Sequence, residues 1–313
     1  MAFKIIDEVV QATAVDTIKD NLLKAQDATG GAISVGKGIH KGDFFDKTFF
    51  ANFGNPTRRD PNTQTAVTPN TLSTLDDTIV KLYFKDDVFI TKTQMKRYGS
   101  SLESFNAEVG RQLGSAISRW AIQKALIAGI GAITSQSELV AGDGTADPSV
   151  GILNESMFKL GDAYEDVKVF VAPSYGTYKL LGDAINSTAD QISYGAVYDG
   201  TAGTLGRKLW TVDNAALNWV DGDNSGHYIL GLTEGALSVD ESEIVEILSQ
   251  LDTLNSNAGY NFHSEGGYSV KVKGFSYDKA QGANPTDAIL ADTASWDLIS
   301  QIKQSAGVLA KTK

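Results

Sequence analysis

Apolar residues recur three and four positions apart at Leu102, Phe105, Val109, Leu113, Ala116, Ile117 and Trp120, and this spacing predicts one long amphipathic helix. Ser100 with Glu103 forms a capping box at its start, and Gly129 and Gly131 are expected to end it. From Ser100 to Ala128, at about 1.5 Å per residue, the rod would be roughly 40 Å long, against a mean globular helix of about 11 to 12 residues. A rod of that length is expected to carry other layers. A second helix is predicted over 5–27, where Ile6, Val10, Ala14, Ile18 and Leu22 fall four apart, with acids early and Lys19 and Lys24 late. No adjoining apolar segment can cover that stripe, so it is expected to dock on a distant part of the chain or on another subunit.

Between the two helices the pattern changes from period 3.6 to period 2. The glycine-rich stretch 30–42 reads as a flexible joint. KGDFFDKTFFANF (41–53) then places four phenylalanines in seven residues, the last two being Phe49 and Phe50. GNPTRRDPNTQTAVTPN (54–70) is polar and holds three of the chain's six prolines, and TIVKLYFK (78–85) alternates apolar Val80, Leu82 and Phe84 with Lys81, Tyr83 and Lys85 as a half-buried strand does. Together these predict a long hairpin whose tip carries Arg58, Arg59 and Asp60. A tip of this length has nothing local to fold against and is expected to reach outward. Its arginines can grip a carboxylate across an interface, the plainer alternative being that they keep the tip soluble. An Asp86-Asp87 turn and a short strand, 88–90, lead past Lys92, Lys96 and Arg97 into the long helix.

After that helix, 139–150 with Gly142, Asp143, Gly144 and Pro148 breaks the pattern and marks a boundary. VKVFVA (167–172) is a buried-type strand, and Pro173 with Ser174 opens a helix over 175–185. Further strands are predicted at 208–212, 227–232, 236–239, 244–249 and 268–277, which makes the second unit mixed α and β. No repeat of solenoid length is present.

Composition narrows the function classes. A chain of 313 residues with 42% hydrophobic residues can bury a substantial core. Its net charge of -11 argues against a dedicated nucleic-acid binder, which concentrates positive charge on one surface. With no cysteine there is no disulfide scaffold, thiolate metal site or thiol nucleophile, which suits a reducing compartment. The N-terminal stretch carries Asp7 and Glu8 within its apolar pattern and lacks the basic flank of a secretory signal. The longest apolar run, 125–133, is far short of the roughly 20 residues a bilayer span needs.

Candidate chemistry is thin. GAISVGKG (31–38) lacks the hydroxyl of a phosphate-cradling loop and leaves a helix for a strand, the reverse of what such a loop does. DGDNSG (221–226) opens like a calcium loop, but its twelfth position is Leu232 where a bidentate Glu is needed, so a strand-linking turn is expected. His40, His227 and His263 show no metal-ligand spacing, and Trp120, Trp210, Trp219 and Trp296 read as core or interface anchors. The acid pairs Asp76-Asp77 and Glu241 with Glu243 read as solvated residues. No catalytic, cofactor or metal residue is assigned, and no enzymatic activity is expected.

Three segments nevertheless resemble one family. They are the hairpin leading into FITKTQMKRYGSSLESFNAEVGRQLGSAISRWAIQKALIAG, the strand and helix VKVFVAPSYGTYKLLGDAI, and the tail GANPTDAILADTASWDLISQIKQSAGV, where Asn284-Pro285-Thr286 precedes Trp296-Asp297. The order of elements resembles the major capsid proteins of tailed bacteriophages, with the Hong Kong 97-type fold. That resemblance implies an α+β fold with an N-terminal arm (1–40), an extended loop made of a long β-hairpin (41–87), a peripheral domain with a spine helix (88–149), and an axial mixed α/β domain (150–231). Strands returning to the peripheral domain (232–280) and a C-terminal segment (281–313) would complete it. It implies a self-assembling icosahedral shell of hexamers and pentamers enclosing double-stranded DNA as a non-specific neighbour, formed in the host cytoplasm and part of the virion. A separate scaffolding protein, a portal protein and decoration proteins are the partners implied, with no membrane. Assembly contacts are expected at Phe49, Phe50, Arg58, Arg59, Asp60, Arg97, Arg111 and Arg119, while Lys124 is expected to face a neighbour or the shell interior. An encapsulin-like compartment shell and a soluble α/β enzyme or binding protein are the alternatives.

Overall fold

The computed structural model describes residues 6–50, 61–62, 74–98, 101–181, 189–192, 195–198, 205–253 and 257–313. Helix α1 (Asp7–Ala28) follows the four-residue stripe, with Val10, Ala14, Ile18, Leu22 and Ala25 buried. The Thr29 hydroxyl donates to the Ala25 carbonyl at 2.7 Å, and Gly30 and Gly31, at φ 64° and 79°, turn the chain out of the helix. The stripe packs on α3 (Leu102–Thr134) of the same chain, the first of its two expected destinations. A row of small residues on α3 allows the close approach. A Cβ on Gly114 would lie 2.6 Å from the Ala14 carbonyl oxygen and 2.9 Å from Thr17 Cβ, and one on Gly110 would lie 3.0 Å from Thr13 Cβ. Ser118, next in the row, accepts a hydrogen bond from Asn21 Nδ2 at 3.2 Å. Gly114→Leu is therefore expected to lift α1 off its groove and cost about 1–3 kcal/mol, read as a lower midpoint in denaturant unfolding.

Helix α3 differs from its sequence reading at both ends. Its N-cap is Ser101, whose Oγ accepts the Ser104 N–H at 3.2 Å, and Ser100 lies outside the described residues. Gly129 and Gly131 do not end it: the helix runs 33 residues, to Thr134. Those glycines are places where other segments press on the rod. A Cβ on Gly131 would lie 3.0 and 3.1 Å from Ala291 C and Cα, and one on Gly129 would lie 2.9 Å from Leu237 Cδ2. The first half of α3 is amphipathic, burying Phe105, Val109, Leu113 and Ile117. From Ala121 onward Ile122, Ala125, Leu126, Ala128 and Ile133 are also sealed, because strands of two sheets and a returning C-terminal segment close around it.

The first sheet holds β1 (Ile33–Lys37), β2 (Phe44–Phe50), β3 (Thr74–Thr91), β11 (Leu237–Asp252) and β12 (Gly259–Val272) in the order β1-β11-β12-β3-β2, with β1 parallel to β11 and the rest antiparallel. The predicted Asp86-Asp87 turn is absent. Strand β3 continues through both residues, held in register with Ser264 and His263, so 88–90 is its end and not a separate strand. Strand β11 likewise joins the two predicted strands 236–239 and 244–249, with register shifts between Glu241 and Glu246 standing for the expected gap.

The second sheet runs β4 (Val140–Ala141), β15 (Gly307–Thr312), β10 (Asn224–Thr233), β5 (Val167–Ala172), β8 (Lys208–Thr211), β7 (Gly195–Tyr198) and β6 (Ala189–Ile192), with β9 (Asn218–Asp221) paired to β10. Helices α4 (Val150–Phe158) and α5 (Ser174–Leu181) belong to this half; the remainder of the helix predicted to 185 lies outside the described residues. The predicted strand 268–277 breaks at Gly274, φ 82°, into the end of β12 and β13 (Phe275–Tyr277), which pairs with β14 (Trp296–Leu298). The C-terminal segment thus stitches the molecule. Helix α6 (Asp287–Ala291) packs on α3, β14 on β13, and β15 returns to the second sheet.

Candidate assembly surfaces

The hairpin grows from a braced base. Along β2 and β3, Phe44 pairs with Val80 and Phe50 with Thr74, and side chains from the C-terminal third fix the strands where they leave the body. The Ser276 hydroxyl accepts the Thr78 N–H at 2.9 Å, and Tyr277 stacks on Phe44 with ring centroids 6.2 Å apart. Lys279 pairs with Asp46 at 2.6 Å, and Thr78 Oγ1 donates to the same carboxylate at 2.9 Å, which together hold the Asp46 pKa below its usual value. Lys271 pairs with Asp77. Beyond the end of β2, Asn284 Oδ1 accepts the Tyr83 N–H at 3.1 Å and satisfies an edge donor of β3. Asn284 holds φ 46° to do so, and the following Pro285 and Thr286 lead into α6. The tail resemblance drawn from Asn284-Pro285-Thr286 and Trp296 thus falls on residues that brace the hairpin.

Of the expected contacts, Arg58, Arg59 and Asp60 lie outside the described residues. Phe49 and Phe50 end β2 opposite Leu75 and Thr74. Arg97 is exposed in the last turn of α2 (Lys92–Tyr98), and Arg119 is exposed on α3. Arg111, also exposed, pairs with Glu108 one turn away at 2.7 Å, a pair open to solvent and of little weight. No described contact brings these three arginines to the hairpin. Lys124 faces inward: its side chain is 14% exposed, its Nζ lies 2.6 and 2.7 Å from the two Asp287 oxygens, and it sits 5.6 Å from the Trp120 ring centroid. Its work is to hold α6 on α3.

The remaining motifs fall into ordinary structure. GAISVGKG supplies β1, and DGDNSG is the turn between β9 and β10, with Gly222 at φ 59° and Asp221 opposite Asn224. Among the described residues no cluster of His, Cys, Asp or Glu is arranged to hold a metal ion, and no helix is long and apolar enough to cross a membrane.

One titrating contact lies on the open face of the first sheet. His263 Nδ1 is 2.6 Å from Asp87 and Nε2 is 3.4 Å from Glu265, and these carboxylates, Asp87 first, raise the imidazole pKa. A raised pKa favours the folded chain while His263 is charged. The contribution is complete below the unfolded pKa of about 6.5 and is lost as pH climbs through the higher folded value. In thermal unfolding, His263→Gln is expected to lower Tm at about pH 5.5 and to converge on wild type toward about pH 9; a gap that widens with pH would refute the assignment.

The resemblance read from the sequence is carried by a match along nearly the whole length: residues 2–309 fit the model of the Gp13-like family, described as major capsid protein 13-like. The chain belongs to that family. A structural role in a capsid follows from membership. Among solved structures, this capsid protein is similar to a chain from Mycobacterium phage Cain, with 11% identity, coverage of 91% of this chain and 90% of that one, and a TM-score of 0.51. It is also similar to a chain from Microbacterium phage Oxtober96, with 14% identity, 91% coverage of each chain and a TM-score of 0.49. The likeness to the Cain chain is one of fold, and the α+β fold is the Hong Kong 97 type expected. Comparison with curated proteins finds no match.

Proposed function

We propose that copies of this capsid protein tile hexamers and pentamers into the icosahedral head of a tailed bacteriophage around double-stranded DNA. Family membership supports this over a cellular compartment shell and over a soluble enzyme. The observation that carries the tiling is the hairpin: its base is locked by Ser276, Tyr277, Lys279 and Asn284, while β2 forms an edge of its sheet and leads into the polar tip. A braced base is what a subunit needs if the polar tip expected from the sequence is to engage its neighbour. The contact is heterologous, the kind that closes rings.

In this reading α1, α3 and the first sheet serve as the peripheral part, and the second sheet as the axial part. A separate scaffolding protein and a portal act as partners, and assembly takes place in the host cytoplasm. The net charge of -11 keeps the shell from gripping packaged DNA, so filter binding at physiological salt is expected to retain little DNA. Negative-stain microscopy of the expressed chain, alone and with its scaffold, is expected to show shells or capsomer rings, and a stable monomer in both preparations would refute the proposal. Arg58→Ala with Arg59→Ala is expected to leave subunit folding intact and impair shell closure; undiminished assembly would reduce the tip to a solvated loop.

A further inference from the structure

The open cleft beside the β11 bulge has no use inside the subunit. It is a recess of about 770 Å³ between β11, β12, β3 and the joint before β2. Its rim carries two apolar side chains, Ile39 at 63% exposure and Ile244 at 58%, the latter pushed out by the register shifts of β11. Glu246 stands directly across from Glu265 in the β11–β12 register. Like charges opposite one another in a sheet destabilise it. Glu265 has His263 Nε2 at 3.4 Å on its own strand, while Lys85, next across from Glu265, makes no ion pair with either carboxylate among the described residues. Glu243, a third carboxylate of the cleft, is held by Lys81 at 3.3 Å. Ser242, 1% exposed and part of the lining, has no hydrogen-bond partner for its Oγ among the described residues. A cleft with apolar rims and an opposed carboxylate pair calls for a basic occupant that also buries apolar surface.

The chain carries such a segment. Helix α2 exposes Lys96 and Arg97 in its last turn, neither in an ion pair among the described residues, followed by Tyr98 at 44% exposure. It cannot reach its own cleft easily: β3 runs from the cleft at Lys85 to Thr91, about 20 Å of strand, before α2 begins. The acceptor surface thus lies midway along β3 and the donor surface beyond its C-terminal end. They are two different surfaces of one subunit, and pairing them between copies gives a heterologous, head-to-tail contact, the type from which rings are built. We propose that the cleft between Ile39 and Ile244 receives the Lys96-Arg97-Tyr98 end of α2 from a second copy of this chain. The inference rests on the ring-forming reading above.

The absence of cysteine makes the test clean. In particles assembled from a Glu246→Cys, Lys96→Cys double variant, a short bismaleimide is expected to yield a ladder of covalent oligomers on a denaturing gel. Each single variant is expected to run as monomer. Separately, Glu246→Lys with Glu265→Lys, and Lys96→Glu with Arg97→Glu, are each expected to cut particle yield by more than about tenfold, with the four changes combined restoring most of it. All substituted residues are exposed, and circular dichroism with thermal melting is expected to show each subunit folded. Particles without a ladder, or a combined variant as poor as its halves, would overturn the proposal and leave the shell reading standing. A ladder obtained only when Arg59→Cys replaces Lys96→Cys would assign the cleft to the hairpin tip and overturn it too. Failure of the wild-type chain to form particles with its scaffold would bring down the shell reading, and this inference with it.

Discussion

Gly131→Ala is expected to destabilise the folded subunit by about 2–3 kcal/mol, whereas Gly129→Ala, two residues earlier on the same helix, is expected to stay within about 1 kcal/mol of wild type. Both changes bring the same benefit, roughly 1 kcal/mol of helix propensity, so the difference lies in what each new methyl meets. At Gly129 it meets the far end of the Leu237 side chain, 2.9 Å from Cδ2, which can rotate within the core. At Gly131 it meets main chain. The Ala291 carbonyl carbon and Cα lie at 3.0 and 3.1 Å with the Leu290 carbonyl oxygen nearer still, and that oxygen already accepts the Trp296 indole N–H at 2.9 Å. Relief at that point requires moving the whole turn between α6 and β14. Thermal unfolding of the two variants decides it, at about 2 °C per kcal/mol for a chain of this size; equal Tm values would mean that the C-terminal turn is not pinned to α3.

The same residues show what periodicity reveals and what it hides. The stripe Phe105, Val109, Leu113 and Ile117 is legible because burying one face of a helix demands apolar side chains on that face. The row Gly110, Gly114 and Ser118 on a second face is invisible to a reading that weighs hydrophobicity, since close approach of two helices is bought by missing atoms. Gly129 and Gly131 mislead for a related reason. Glycine stops a helix when the backbone needs a positive φ, but here it thins a helix that other segments crowd, and sequence spacing does not separate the two uses. The Asp86-Asp87 turn fails differently: two adjacent acids look like a loop until one finds His263 on the neighbouring strand. That pairing spans 176 residues and leaves no local trace.

For the assembly surfaces the balance is similar. The pairing of β2 with β3 is legible from the aromatic run and the alternation of 78–85, whereas its brace is not, because Ser276, Lys279 and Asn284 reach it from the far end of the chain. Lys124, a lone cation in a largely apolar stretch of α3, is expected from the sequence to face a neighbour or the shell interior. In the fold it is engaged by Asp287, which α6 brings in from the far end of the chain. The β11 bulge that exposes Ile244 was likewise hidden, because a register shift is a property of two strands together.

Trp296→Ala is expected to cost about 3–5 kcal/mol and to loosen the hairpin as well as the core. Trp296 is 3% exposed, its indole donates to the Leu290 carbonyl at 2.9 Å, and its ring meets Tyr277 edge-on with centroids 5.5 Å apart. Tyr277 in turn stacks on Phe44 at the root of β2. Removing the indole opens a cavity under Tyr277, and that ring, free to drop inward, withdraws from Phe44. Trp296→Phe fills most of the space but leaves the Leu290 oxygen without its donor, so a smaller loss of about 1–3 kcal/mol is expected. The two effects separate by observable. Denaturant unfolding reads the core, and hydrogen exchange along 44–50 reads the hairpin root. Faster exchange there in Trp296→Ala, and near-normal exchange in Trp296→Phe, is the expected pattern. If global stability falls in the alanine variant while those amides stay as protected as in wild type, the aromatic chain from Trp296 to Phe44 does not transmit the brace, and the Lys279–Asp46 pair and Ser276 must hold the hairpin alone.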